Sequence, residues 1–363
     1  MLRTMALLRA LVGAVRSVRH APRLAAGFVP DDDVLLDAPD DRLAPALVAA
    51  ALADPEPAAK LLATTRDSGE WEDRDRYVTR LATFAYSRDG WLTHWLAAAP
   101  RDPDALLVTA QLAVRRAWES PARAERLREL APLIAAVAEG APRDPVPWRL
   151  ALDHARGAHA GHTVFESHWE QAVRRSPHHY GCHVAALKYL SAQWYGSHRA
   201  AFDFAEQAAD DAAEGSLVRA LPVRAAYDRL RMDAAEDRSV PPARIDRAAD
   251  RALALSAAYP VGDPWPAEVR NLLAYVLVQR GRWDEARAEF GRIGPYATSF
   301  PWGAARGSAP EDPPPSSRLR SSRGDPLLGF LAARDRVRVE LARRTPLWET
   351  GVGRGGRGGP GGH

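Results

Sequence analysis

The stretch Asn271–Gly294, NLLAYVLVQRGRWDEARAEFGRIG, restricts the fold more than any other part of the chain. Val269, Leu272, Leu273, Val276 and Leu277 recur at i, i+3, i+4, i+7 and i+8, which puts them on one face of a helix. Gly281 then lets the chain turn, and Asp284 and Glu285 stand where the macrodipole of a second helix favours acids. Ala286, Phe290 and Ile293 follow the glycine by five, nine and twelve residues. The small residue lets two antiparallel helices approach, and the larger ones fall on the inward face. A hairpin of two short helices cannot cover its own apolar face, so it must stack on neighbours.

The pattern recurs upstream. From Gly196 the same spacing gives Ala201, Ala205 and Ala208; from Gly69 it gives Arg74, Val78 and Leu81. The turn chemistry repeats as well, Gly69-Glu70-Trp71-Glu72-Asp73 against Gly281-Arg282-Trp283-Asp284-Glu285. The pentapeptide APRDP occurs at 99–103 and at 141–145, an offset of 42 residues, each time placing an Asp N-cap before a Pro at the first helical position. Helices are predicted almost without interruption from Arg42 to Arg292, including single ones over 122–139 and 218–234. Alternating strand patterns are scarce. With 46% hydrophobic and 26% charged residues, the composition is that of a folded chain. The expected fold is all-α, a degenerate right-handed solenoid of helical hairpins, with space for about seven or eight units of ~34–42 residues.

The unit at 270–293 resembles a tetratricopeptide repeat, with Leu273, Ala274, Gly281, Ala286, Phe290 and Ile293 where that repeat places its signature small and large residues. Phe165, Trp169, Ala172 and Pro177 match the phase of the same repeat's second helix and closing proline. The stretch from Trp91 to Leu230 further resembles bacterial helical-repeat proteins of uncharacterised function, through Phe165, Trp169, Pro177, the run YLSAQWYGSHRAAFDFAEQAA at 189–209 and Gly215-Ser216-Leu217. The resemblance implies a scaffold with a groove and no cofactor. Arg74 in place of a small residue, and the 42-residue offset, depart from the family's regular geometry.

The ends differ from the body. Residues 1–27 are basic and amphipathic, with Leu7, Leu11, Val15 and Val18 on one face; Arg9 cuts the apolar run too short for a membrane span. Residues 28–41 read as an acidic linker, 42–294 as the solenoid, 295–325 as a Pro/Ser/Arg linker, 326–344 as a capping helix and 345–363 as a disordered Gly/Arg tail. The five arginines of residues 1–30 and two of 351–363 account for more than the net charge of +3, leaving −4 for residues 31–350. That distribution argues against a broad nucleic-acid-binding face despite the pI near 9.2. Cys182 is the sole cysteine, which excludes an intramolecular disulfide and fits a reducing cytoplasm.

Candidate chemistry is sparse. Eight histidines fall between His154 and His198. His179 and His183 are four apart, His162 and Glu166 likewise, and Cys182 lies beside them; on helices such pairs can share a metal. No HExxH, nucleophile elbow, P-loop or dinucleotide fingerprint is present, and histidine packing in an inter-helix turn is the stronger reading. The tryptophans near the hairpins are expected to fill inter-helix space. The expected function is therefore non-enzymatic: a cytoplasmic scaffold that binds a peptide or helix of an unidentified protein partner, with the groove between about residues 91 and 230. Two alternatives stand beside it, a metal-binding protein or metal-dependent enzyme centred on 154–198 and a peripheral membrane adaptor acting through residues 1–27.

Overall fold

The structure is a computed structural model and describes residues 27–232, 239–303 and 324–344. The segment 1–26 and the tail beyond Arg344 lie outside the described residues, as do 304–323. Seventeen α-helices make up most of what is described. They are α1 (Leu43–Ala51), α2 (Glu56–Ser68), α3 (Trp71–Ser87), α4 (Gly90–Ala98), α5 (Pro103–Trp118) and α6 (Arg123–Glu129). Next come α7 (Ala131–Gly140), α8 (Val146–Gly157), α9 (His162–Arg175), α10 (Tyr180–Tyr189), α11 (His198–Asp211) and α12 (Leu221–Arg231). The last are α13 (Pro242–Ala257), α14 (Ala267–Arg280), α15 (Trp283–Ile293), the single turn α16 (Ser299–Trp302) and α17 (Pro326–Arg344). Among the described residues no helix is long and apolar enough to cross a membrane.

Packing is mostly between neighbours in sequence, with a second order of contact at the next helix but one. One row runs α3, α5, α8, α10, α12 and α14, each member touching the next. The intervening helices flank that row: α4 packs on α5, α9 on α8 and α10, α11 on α10 and α12, α13 on α12 and α14, and α15 on α14. The buried apolar residues fall into three clusters, one spanning Leu43 to Ala158, one spanning Tyr180 to Leu341 together with Val34, and a smaller one bridging α8, α9 and α10.

The two Gly-x-Trp turns adopt the same local geometry. Gly69 (φ 72°) and Gly281 (φ 70°) both sit in the left-handed region that favours glycine, and each following tryptophan lies against its glycine. Their places in the array differ: Gly281 leads out of the α3-to-α14 row into flanking α15, whereas Gly69 leads from flanking α2 into it. Gly196 is of another kind. Its φ is not left-handed; a Cβ there would lie 2.1 Å from the Leu190 carbonyl oxygen, so close backbone approach demands glycine. The residues five, nine and twelve after each glycine are buried in all three cases, Arg74, Ala201 and Ala286 included.

Arg74 is buried because it is neutralised. Its guanidinium donates to Asp144 (2.6 Å), Asp104 (2.6 Å) and the Leu62 carbonyl (2.9 Å). The two APRDP copies thereby diverge: Asp102 caps α5 through the Asp104 and Ala105 amides, while Asp144 holds the Val146 amide with one oxygen and Arg74 with the other.

Several expectations are corrected. The helix foreseen over 122–139 is two, broken at Leu130 with Pro132 opening α7, since proline has no amide to continue a ladder. Over 218–234, a short 3₁₀ turn (Leu217–Ala220) precedes α12, whose first turn carries Pro222. Residues 28–41 are no simple linker. Phe28 packs edge-on against Phe290 (6.2 Å), and the buried Arg334 of α17 donates to the Val29 carbonyl and pairs with Asp31. Leu35–Leu36 (β1) then pairs in parallel with Tyr296–Ala297 (β2). The linker expected from 295 likewise begins too early, because Tyr296–Trp302 is ordered, with Trp302 buried and donating to Asn271 Oδ1 (2.8 Å). An N-terminal strap is thus fastened to the C-terminal helices.

Candidate functional site

The α3-to-α14 row curves around a chamber of about 780 Å³. Its walls are helix faces read at i, i+3, i+4 and i+7. From α3 come Glu72, Asp75, Arg76, Thr79, Arg80 and Thr83; from α5, Gln111, Val114, Arg115 and Trp118. From α8 come Arg149, Asp153 and Arg156; from α10, Gly181, Val184, Ala185 and Lys188. Arg224 of α12, Pro264–Trp265, Ala267–Val269 of α14, the strap at 37–40, residues 296–300, and Leu43, Tyr180 and Leu217 complete the lining. The chamber is not confined to the range 91–230 in which a groove was expected, because the strap and α3 bring residues 37–83 against 264–300.

The charged lining is largely self-paired. Arg149 bridges Asp75 (2.7 Å) and Asp153 (3.2 Å) and donates to Gln111 Oε1 (2.6 Å). Burial works against a charge on Asp153, yet Lys188, Arg156 and Arg149 together hold its carboxyl below the usual range. Arg156 is stacked between Trp118 and Trp194, at 4.4 and 4.6 Å from their ring centroids. Arg224 lies 4.6 Å over Phe300 and donates to Glu268 (2.7 Å). Burial lowers Lys188 to about 8 against the pull of Asp153, and raises Asp228, in a small separate pocket that shares Lys188 and Arg224 with the chamber, to about 6. Arg76 stacks 4.1 Å over Trp265 and donates to its carbonyl (2.7 Å). Such a surface can orient a polar chain through fixed guanidinium planes and carboxylates. Its acids and bases are committed to one another.

No protein-family model, curated protein or solved structure matches the chain. The reading of the site therefore rests on its own geometry.

The metal alternative named His179, His183, Cys182, His162 and Glu166. The structure does not bring these to one point, and among the described residues no group of three His, Cys, Asp or Glu side chains is placed to hold a metal ion. His179 caps α10: its Nδ1 accepts from the Cys182 amide (3.2 Å) while Nε2 faces the Trp71 carbonyl (3.2 Å). Burial disfavours a charge on this ring, and Cys182, Glu72 and Asp75 favour one. The hydrogen bonds decide for the neutral Nε2–H form, because an imidazolium Nδ1 could not accept. His183 turns back to the His179 carbonyl (2.9 Å) and is edge-on to Trp169 (5.1 Å); burial takes it down to about 4. Cys182 is fully buried, and burial raises its thiol. His162 meets the Tyr189 hydroxyl (2.7 Å), and Glu166 is exposed.

Of the remaining residues singled out from sequence, Trp169 also packs on Phe204 (5.7 Å), and Pro177 lies exposed in the turn between α9 and α10. Phe290 joins an aromatic group with Phe28, Trp302 and Phe330. The chamber residues Arg149, Asp153, Lys188 and Arg224 went unnoticed. Arg149, Asp153 and Arg156 form a polar stripe at helical spacing, which on an isolated helix is the same as a solvated face, and Lys188 and Arg224 are single charges with no pattern around them.

Proposed function

We propose that the chain is a non-enzymatic interaction protein, a tetratricopeptide-like right-handed helical-hairpin solenoid whose concave chamber receives a peptide segment of a partner protein. The observation that carries this reading is the origin of the chamber wall: every member of the α3-to-α14 row contributes to it, with polar stripes from α3 and α8 and a mixed polar and apolar surface from α5 and α10. Stacked hairpins produce such a concave lining when one helix of each pair faces in. An extended segment suits the space better than a helix, whose diameter with side chains is ~10–12 Å. The mouth beside α3 is spanned by Arg76 on Trp265, and the strap crosses next to it.

The test is fluorescence polarisation with pools of labelled octapeptides, each pool having one fixed residue at one position. Thr79→Trp and Gln111→Trp place bulk in the chamber at positions that are not part of the core, and Val48→Trp alters an exposed outer site. Binding by selected pools, lost in the two chamber variants and kept in the outer one, supports the reading. Absence of binding by every pool, or binding indifferent to the chamber variants, refutes it.

A further inference from the structure

The chamber is bounded by two apolar bodies that meet differently along their shared edges. One core cluster holds α1 to α8 and the other holds α10 to α17 with the strap residue Val34, and the small third cluster joins them through α8, α9 and α10. The bodies also meet at a second joint, between the first turns of α3 and α10, where the contacts are largely buried. The Tyr180 amide donates to Glu72 (2.6 Å), His179 is fully buried against the Trp71 carbonyl, and Gly181 lies so close to Asp75 that a Cβ would overlap its carboxylate. Further along α3 the character changes. Arg76 reaches Trp265 by stacking and by one short hydrogen bond to its carbonyl, and Arg80 reaches the Asp37 carbonyl, with side chains partly open to solvent. Among the described residues no apolar cluster spans this outer edge.

We infer that the chamber opens along this outer edge, α3 parting from residues 264–265 while the buried His179–Gly181 joint acts as the pivot. Partly exposed cation–π and charge contacts are weak and salt-sensitive, whereas the joint would have to expose buried polar groups to part. The strap sets the limit of travel. Asp37 is fixed to the C-terminal body through the Ser299 amide (2.9 Å), and Asp40 is fixed to the N-terminal body through the Tyr77 hydroxyl (3.0 Å). Three Cα steps of ~3.8 Å join them, so while both anchors hold, these two points cannot separate beyond ~11 Å. The chamber is thus a jaw on a short tether. As a route of entry for a peptide, the opening rests on the function proposed above.

The motion itself can be tested without a ligand. Val48 and Val261 are exposed on opposite bodies, 64% and 72%, and the single native cysteine is buried, so Val48→Cys with Val261→Cys gives two defined spin-label sites. Electron–electron distance measurements are expected to show a compact population, and a longer one that grows on adding Arg76→Ala with Arg80→Ala. Deleting residues 28–37 should lengthen the accessible distances further, because the tether is gone. A single distribution unmoved by the arginine variants overturns the opening. A second sample carries Arg76→Cys and Trp265→Cys bridged by a short bismaleimide; peptide pools that bind the unbridged protein should enter and leave the bridged one far more slowly. Unchanged rates overturn the opening as the entry route. If no peptide binds at all, the functional reading falls while the distance measurement still decides the motion.

Discussion

Removing Arg74 tests the claim that a charged triad allows a large cation to be fully buried five residues after a turn glycine, where Gly196 and Gly281 are followed by Ala201 and Ala286. The side chain is fully buried, as are Asp104 and Asp144, and each carboxylate lies 2.6 Å from it. Breaking a buried pair from one side costs about 3–5 kcal/mol, since the remaining charge is left in a poor solvent. The loss falls mainly on Asp144. Asp104 keeps Arg66 as a second cation, whereas Asp144 keeps only the Val146 amide. Arg74→Ala should therefore lower the unfolding free energy by about 3–5 kcal/mol, read from the midpoint and slope of urea denaturation followed by tryptophan fluorescence. Asp144→Asn introduced on the Arg74→Ala background should recover roughly 1–3 kcal/mol, because a neutral amide keeps the amide-capping oxygen and removes the stranded charge. The pH dependence has a fixed sign. Burial already raises Asp144 above the ordinary carboxylate range, with Arg74 opposing. Without Arg74 the folded state holds that proton more tightly still. The variant's deficit must then grow as pH rises from the usual carboxylate range upward, and shrink in acid. A loss below ~1 kcal/mol, or a second substitution that adds to the damage, would refute the triad as the reason for this arginine.

Other expectations follow from single positions. Gly69→Ala and Gly281→Ala should each cost about 1–2 kcal/mol through the left-handed backbone alone, and Gly196→Ala should cost more, because its Cβ meets the Leu190 backbone; equal shifts in Tm for all three would contradict the distinction. Lys60 and Lys188 are the only lysines, so reductive ¹³C-methylation yields two lysine dimethylamine signals besides that of the α-amino group, and Lys188 should titrate near 8. Because its folded value lies below the unfolded one near ~10.4, its contribution to stability should increase as pH rises between them; a Lys188 midpoint above ~10 would show that the chamber's inner end is open to water. Cys182 should resist a thiol reagent in the native state and react on unfolding, and rapid native labelling would contradict its complete burial.

What could be read from the sequence divides along a physical line. Apolar periodicity and glycine punctuation report on the side of a helix that must be buried, whatever it is buried against. That is why the helices, the buried residues after Gly69, Gly196 and Gly281, and the Gly-x-Trp turns were visible in advance. The same logic could not assign layers. Gly69 and Gly281 have equivalent φ values, yet one turn enters the inner row and the other leaves it, because a left-handed glycine fixes a reversal of the chain and not the body it turns towards. The strap was missed for a related reason: its fastening depends on partners more than 250 residues away, Ser299 and Arg334, and an acidic, proline-bearing stretch carries no trace of them. The site was hidden most completely of all. On α3, Glu72, Asp75, Arg76, Thr79, Arg80 and Thr83 form an ordinary polar face, and only the closure of the row turns that face from bulk water to an enclosed one. Charge self-pairing there is the consequence. Charged side chains turned away from bulk water, with apolar and aromatic residues beside them, must be satisfied by one another. A single chamber can therefore hold Arg149, Asp153, Lys188 and Arg224 together, although none of them stands out from its neighbours in the sequence.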